Sequence, residues 1–218
     1  MEIGRFISFE GIEGCGKTTQ IKLAGEYLKQ CHIPYIITEE PGGTSIGRRI
    51  REILLNKESG EEICSKAELL LFSAARAQHV KDVIIPVLKE DTVVLCDRFY
   101  DATIAYQGFG RGLDIDFIRI LNDFSSANLK PGLTLLFDLQ VEVGLKRAMD
   151  RISHMKDGSA EDRFEREDLE FHRKVREGYL LLARQDNERF RIIDGARDIE
   201  TVHREVCVDL SRFMDKKC

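Results

Sequence analysis

No apolar run in this 218-residue chain is long enough to span a membrane, and Met1-Glu2-Ile3-Gly4-Arg5 has no secretory-leader character. A soluble, cytoplasmic protein with no membrane partner is expected. Positive charge is not in excess either. The net charge of -5 argues against a protein that coats nucleic acid. An anionic ligand would have to be held by locally placed Arg and Lys, against the global field. The six cysteines (15, 31, 64, 96, 207 and 218) include no C-x-x-C pair and no zinc spacing, so they read as reduced cytosolic thiols. No internal repeat and no low-complexity tract is present. The length suits one α/β domain with a sizeable core and is short for two, so residues 1–218 are expected to form a single domain.

Five short apolar runs alternate with helical patterns: Phe6–Phe9, Tyr35–Thr38, Thr92–Cys96, Leu133–Phe137 and Arg191–Ile193. This alternation predicts a three-layer α/β fold, a five-stranded parallel sheet with helices on both faces. Right-handed crossovers place every strand's C-terminal end on one rim, where ligands of open α/β sheets bind. Ala67–Lys89 is rich in helix formers, and Pro86 either kinks it or starts a second helix. Its apolar residues Leu69, Leu70, Phe72, Ala75 and Val80 exceed what one face needs, which suggests a subunit interface. Leu169, Val175, Tyr179 and Leu182 mark a later amphipathic helix, and Ser153–Asp162 reads as a polar, mobile loop.

After the first run comes Gly11-Ile12-Glu13-Gly14-Cys15-Gly16-Lys17-Thr18, which matches G-x-x-x-x-G-K-[ST], the phosphate-binding loop. Its strand–loop–helix context is the one the chemistry requires. Glycines let successive N–H groups curl toward phosphate oxygens, and the helix N-terminus adds partial positive charge. Lys17 supplies a full charge, and the Thr18 hydroxyl can ligate Mg²⁺. Cys15 lies beside the helix N-terminus, where a thiol can become reactive, although a small filler role is the simpler reading.

A second constellation follows the third run. Asp97 ends that strand where it could hold Mg²⁺-bound water, and Arg98 can reach phosphate in bidentate fashion. Phe72 and Arg76 are one helical turn apart and suit a planar base, one stacking and the other bonding to a carbonyl. Asn56-Lys57-Glu58-Ser59 superficially resembles the base-reading tetrad of GTPases, but it lacks the final Asp and follows no core strand.

Taken in order, Phe9-Glu10-Gly11 into Gly16-Lys17-Thr18-Thr19, then Glu40-Pro41-Gly42-Gly43-Thr44, Leu71-Phe72 through Arg76-Ala77-Gln78-His79, Asp97-Arg98-Phe99 to Ala105-Tyr106-Gln107-Gly108, and Asp162-Arg163-Phe164-Glu165 resemble the bacterial thymidylate kinases. These are P-loop enzymes of the nucleoside monophosphate kinase group, and the resemblance covers almost the whole chain. It implies a P-loop NTPase fold, ATP as phosphoryl donor, Mg²⁺, dTMP as acceptor, dTDP as product, and a homodimer. It also implies roles for individual residues. Gly11 to Thr19, with Ile12, Glu13, Gly14, Cys15, Gly16, Lys17 and Thr18 between them, would hold the ATP phosphates. Thr18 and Asp97 would assist the metal. Phe72 would stack on thymine and Arg76 would bond its O4, with Thr103 and Gln107 completing the base contacts. Arg51, Arg98 and Arg48 would hold the dTMP phosphate. Glu13 would meet the 3′-hydroxyl, and Tyr106 would crowd the 2′ position.

Some family members carry a basic residue in the loop itself, whereas Ile12, Glu13, Gly14 and Cys15 supply none. The missing cation would come from a lid spanning about residues 150–163 and reached from Arg147, with Arg151 and Arg163 meeting the migrating phosphoryl group. This resembles the lid-arginine subclass. The chain departs from the family in having Thr38-Glu39-Glu40 where Arg usually precedes Glu-Pro-Gly-Gly-Thr. Another nucleotide or nucleoside kinase, or a nucleotide-dependent switch ATPase, remains as an alternative. The acceptor phosphate is already anionic, so no general base is expected, and alignment and cations should carry catalysis.

Overall fold

Strands covered on both faces read as unbroken apolar runs, and the core strands here behave that way. The computed structural model describes residues 5–55, 62–154, 163–165 and 167–215. In it β1 (Phe6–Glu10) is buried at all five positions, β3 (Val93–Asp97) at its first four and β4 (Leu133–Asp138) at its first five. Strands β2 (Tyr35–Glu39) and β5 (Phe190–Asp194) are partly exposed because they form the edges. All pairings are parallel, in the order β2-β3-β1-β4-β5. The five predicted runs coincide with these strands to within one or two residues.

The chain leaves β1 between its two neighbours, β3 and β4, which is the switch point of the sheet. Register aligns the rim there: Phe9 lies opposite Asp97 on one side and Leu135 on the other. Helix α1 (Lys17–Gln30) follows the glycine loop, and α2 (Ser45–Leu55) follows β2. Helix α3 spans Ser65–His79. It continues as a wider π turn at Val80–Ile84 into α4 (Ile85–Lys89). Pro86 has no N–H to return to the preceding turn, and the helix widens immediately before it instead of stopping. Short α5 (Tyr100–Thr103) leads into a second π turn, Ile104–Gly110, which carries Tyr106 and Gln107.

Helix α6 spans Ile115–Ser125, α7 Val141–His154, α8 Leu169–Gln185 and α9 Ile199–Asp215. The Asp168 side chain caps α8 by accepting from Phe171 N–H. Val175, Tyr179 and Leu182 face the core as the pattern predicts, whereas Leu169 is exposed. Ser153 belongs to α7, where a loop was expected to begin. Residues 155–162 and the Asn56–Ser59 stretch lie outside the described residues. No disulfide occurs among the described cysteines. No described helix is long and apolar enough to cross a membrane.

Candidate active site

The loop after β1 takes its shape from backbone conformations that side chains disfavour. Gly11, Gly14 and Gly16 have φ of 141°, 69° and 96°. A Cβ on Gly11 would stand 2.5 Å from the Phe137 carbonyl oxygen, and one on Gly14 would strike the Gly144 carbonyl of α7. The loop therefore nests against β4 and α7, with no room for a side chain at Gly11 or Gly14. Lys17 reaches back across it: Nζ donates to Gly11 O (3.1 Å) and Ile12 O (3.2 Å) and lies 3.6 Å from Cys15 Sγ. Cys15 is buried beneath the loop. Thr18 Oγ1 donates to Asp97 Oδ2 at 3.4 Å, so the loop hydroxyl and the carboxylate ending β3 face one another at the loop's mouth.

Arg98 follows Asp97 in a left-handed conformation, φ 68°. Such geometry is uncommon outside glycine and turns the side chain back over the sheet rim. Its Nη1 donates to Gly11 O (2.9 Å) and Tyr179 Oη (3.1 Å), and its Nη2 donates to Glu13 Oε1 (3.0 Å). The guanidinium carbon lies 4.8 Å from the centre of the Tyr106 ring, and Tyr106 Oη donates to the same Glu13 oxygen. Burial alone would raise the Glu13 carboxyl, but His172, Arg98, Lys17 and Tyr106 outweigh it and hold the group at about 2. His172 Nδ1 stands 3.3 Å from Glu13 Oε2 without the alignment of a hydrogen bond. Behind them, Glu10 accepts from Phe99 N–H (2.7 Å) and Tyr179 Oη (2.8 Å). Burial, reinforced by Asp101, pushes its carboxyl up to about 8.

Glu13, Lys17, Thr18, Asp97, Arg98 and Tyr106 line one continuous cavity of about 980 Å³. At one end it is bounded by Gly195–Ile199 and Val202, where Arg147 Nη1 donates to Gly195 O at 2.9 Å. At the other end it is bounded by Phe72, Arg76, Thr103 and Gln107. Arg76 is almost wholly buried. It donates from Nε to Glu40, from Nη1 to Asn122 and from Nη2 to Thr103 Oγ1, each at 2.8 Å. The glycine loop, Lys17, Asp97 and Arg98 lie between the two ends. The space is thus long enough for two ligands, with Lys17 and Arg98 between its ends.

Most of the residues singled out by sequence line this cavity, among them Glu13 to Thr19, Arg51, Asp97 and Tyr106. Gly11 and Ile12 lie behind it, where their carbonyls receive Lys17. Arg51 Nη1 donates to Pro41 O (2.9 Å) and pairs with Glu39 Oε2 (3.2 Å). Glu39, at the position where the related motif usually carries Arg, therefore sits beside a proposed phosphate ligand. Arg48 is exposed and outside the cavity wall. Arg151 is on the wall, and among the described residues its side chain meets Glu165 Oε1, at 3.4 Å from Nη2. Arg163 is placed otherwise. It donates to Leu54 O (3.0 Å) and Glu68 Oε2 (2.5 Å) and is not on the wall. Sequence reasoning missed Glu40, Glu68, Asn122, His172 and Tyr179. Only Glu40, inside the Glu-Pro-Gly-Gly-Thr motif, carried a signal that could have found it.

A parallel sheet with a glycine loop at its switch point, a lysine folded over that loop and a hydroxyl–carboxylate pair at its mouth define a P-loop phosphotransferase. Comparison with known proteins narrows the class. The thymidylate kinase family model matches residues 9–206. A thymidylate kinase of Syntrophus aciditrophicus (strain SB) is 61% identical over 202 residues, covering 93% of this chain and 92% of that protein. One of Geotalea daltonii is 54% identical over 198 residues, covering 91% and 92%. Among solved structures, thymidylate kinase from Ehrlichia chaffeensis superposes with a TM-score of 0.73 at 34% identity, covering 94% of this chain and 97% of that one. The chain belongs to the thymidylate kinase family.

Proposed function

We propose that the protein transfers the γ-phosphoryl group of ATP to the 5′-phosphate of dTMP, giving dTDP. The observation that carries this reading is one continuous cavity lined by the phosphate loop and Arg98 together with Phe72, Arg76, Thr103 and Gln107. ATP lies with its phosphates on the amides of Gly11 to Thr19 and on Lys17, and with its base toward Gly195–Val202. The dTMP base enters between Phe72 and Arg76, beside Thr103 and Gln107, and its phosphate meets Arg98 and Arg51. Tyr106, tied to Glu13, narrows the space beside the sugar and favours deoxyribose, and Glu13 receives the 3′-hydroxyl.

The two phosphate tails then meet end to end over the β1–β3 rim. The nucleophile is an oxygen already carrying negative charge, so no residue has to take a proton. What the chain supplies is alignment and positive charge. Arg98 orients the acceptor, Lys17 stabilises charge on the donor, and Arg151 extends over both from α7. Arg163 could join them by exchanging Glu68 for phosphate. Thr18 and Asp97 offer the oxygen ligands a hard divalent cation prefers, and they would hold Mg²⁺. Bound there, Mg²⁺ supplies neutralisation of charge on the ATP phosphates.

The chain acts as one kinase domain in the cytoplasm and as a homodimer. The exposed apolar residues Leu70 of α3 and Phe117, Ile120 and Phe124 of α6 support the dimer. A phosphoryl-transfer assay with Mg-ATP across nucleosides and nucleoside monophosphates tests the function. dTMP should be the preferred acceptor. Preference for an unphosphorylated nucleoside, or ATP hydrolysis with no acceptor, would overturn it.

A further inference from the structure

Glu68 lies on α3 one turn before Phe72 and two before Arg76, on the side that faces the base recess. Its side chain is fully buried, yet it accepts four hydrogen bonds. Oε1 receives Gln107 Nε2 (2.7 Å) and Arg111 Nε (3.2 Å), and Oε2 receives Arg111 Nη2 (3.2 Å) and Arg163 Nη2 (2.5 Å). A carboxylate between two guanidinium groups offers lone pairs only. Gln107 can therefore meet it only through the NH₂ end of its amide, and the carbonyl end is turned the other way. Gln107 lines the cavity, and among the described residues nothing donates to its Oε1. On the same wall, Arg76 commits three of its five N–H groups to Glu40, Asn122 and Thr103, which leaves two for a ligand.

The recess therefore presents a donor, Arg76, beside an acceptor, the Gln107 carbonyl. A 4-oxopyrimidine with a ring N–H complements that pair in both places. Cytosine, with an exocyclic amine and a bare ring nitrogen, opposes it in both. A glutamine amide is nearly symmetric in shape, so turning it over costs almost no space, and turned over it would donate to the cytosine ring nitrogen. What forbids the turn is Glu68.

We propose that Glu68 is a positioning residue for base selection. By binding the amide nitrogen of Gln107 it fixes the carbonyl toward the cavity, so the pocket reads the protonated ring nitrogen of thymine or uracil. The proposal rests on the dTMP kinase reading of the same cavity.

The test is the ratio of kcat/KM for dTMP to that for dCMP in the wild type, Glu68→Gln, Gln107→Ala and the double variant. An amide at position 68 can meet Gln107 through either end. The ratio should fall about tenfold or more in Glu68→Gln, the scale of one misdirected hydrogen bond. In the Gln107→Ala background the same change should leave the ratio where it is. A role in stability alone would depress both substrates together, so an unchanged ratio in Glu68→Gln overturns the proposal. The wild type gives a second measurement that needs no folded variant: NMR of the ¹⁵N-labelled glutamine side-chain amides. The Gln107 NH₂ signals should be protected from exchange before dTMP is added and should barely move afterwards. Protection gained only on adding dTMP would put the nitrogen against the base and overturn the proposal. A wild type with no preference for dTMP over dCMP would instead remove the functional reading, and this one with it. The two failures are thereby distinct.

Discussion

Arg98 and Glu13 are joined at 3.0 Å, Nη2 to Oε1, so the cation proposed to hold the acceptor phosphate is already partnered from inside the phosphate loop. A phosphate arriving at Arg98 competes with a carboxylate that Tyr106 also holds. Arg98 and Glu13 thus balance one another's charge on the cavity floor, with Tyr106 as a further tie to Glu13.

That balance has a pH signature. The Glu13 carboxyl is depressed from 4.5 to about 2 in the folded chain. The unfolded state then binds more protons between those values, so stability is fully present above 4.5 and is lost as pH falls toward 2. At about 1.4 kcal/mol for each tenfold change in proton affinity, the contribution is about 3 kcal/mol. Denaturant midpoints of Glu13→Gln should decline less steeply than wild type between pH 4.5 and 2. Parallel curves would show that the carboxylate is not held this way.

Lys17→Ala tests the loop. The Nζ bonds to Gly11 O and Ile12 O are local, so the fold should survive, with circular dichroism unchanged and Tm within a few degrees. Turnover should drop by about two to three orders of magnitude, as expected when a transition-state charge contact is removed. Near-normal turnover would exclude Lys17 from the phosphates.

The same measurement tests Arg151 and Arg163, the two arginines proposed to meet the migrating phosphoryl group. Arg151 is on the wall and loosely held, so Arg151→Ala should lower kcat about a hundredfold with little change in KM for dTMP. Arg163→Ala should also lower kcat more than it raises KM if the residue leaves Glu68 during turnover. A pure KM effect would mean that it only braces the base end from where it stands.

Association can be read by sedimentation. Phe124 and Ile120 are 81% and 68% exposed on α6, which packs on α3, and Leu70 of α3 is exposed as well, apolar surface that a monomer would leave wet. Charged replacements at 120 and 124 should shift the sedimentation profile from dimer to monomer at micromolar protein. A wild type that already runs as a monomer would refute the dimer.

What could be read in the chain was whatever depends on neighbours in sequence. The runs at Phe6–Phe9 and Leu133–Phe137 are strands because both faces are covered, and the glycines at 11, 14 and 16 are required by local φ. Asp97 and Arg98 were placed at the site by following a strand that adjoins β1. Glu68 was not legible because its meaning comes from Gln107, Arg111 and Arg163, 39, 43 and 95 residues away. Tyr179 and His172 read only as parts of an amphipathic helix, and nothing local shows that they face Glu10 and Glu13. Pro86 left two outcomes open, and the structure takes neither alone: the helix widens at Val80–Ile84, where Val80 and Ile84 pack with Val94 and Cys96 of β3, and continues.

The glycine pair 14 and 144 brings two backbones together with no side chain as cushion. The loop after β1 and the first turn of α7, the helix that carries Arg147 and Arg151, are therefore in direct backbone contact. A side chain at either position would force loop and helix apart, so only a pair of glycines permits this spacing.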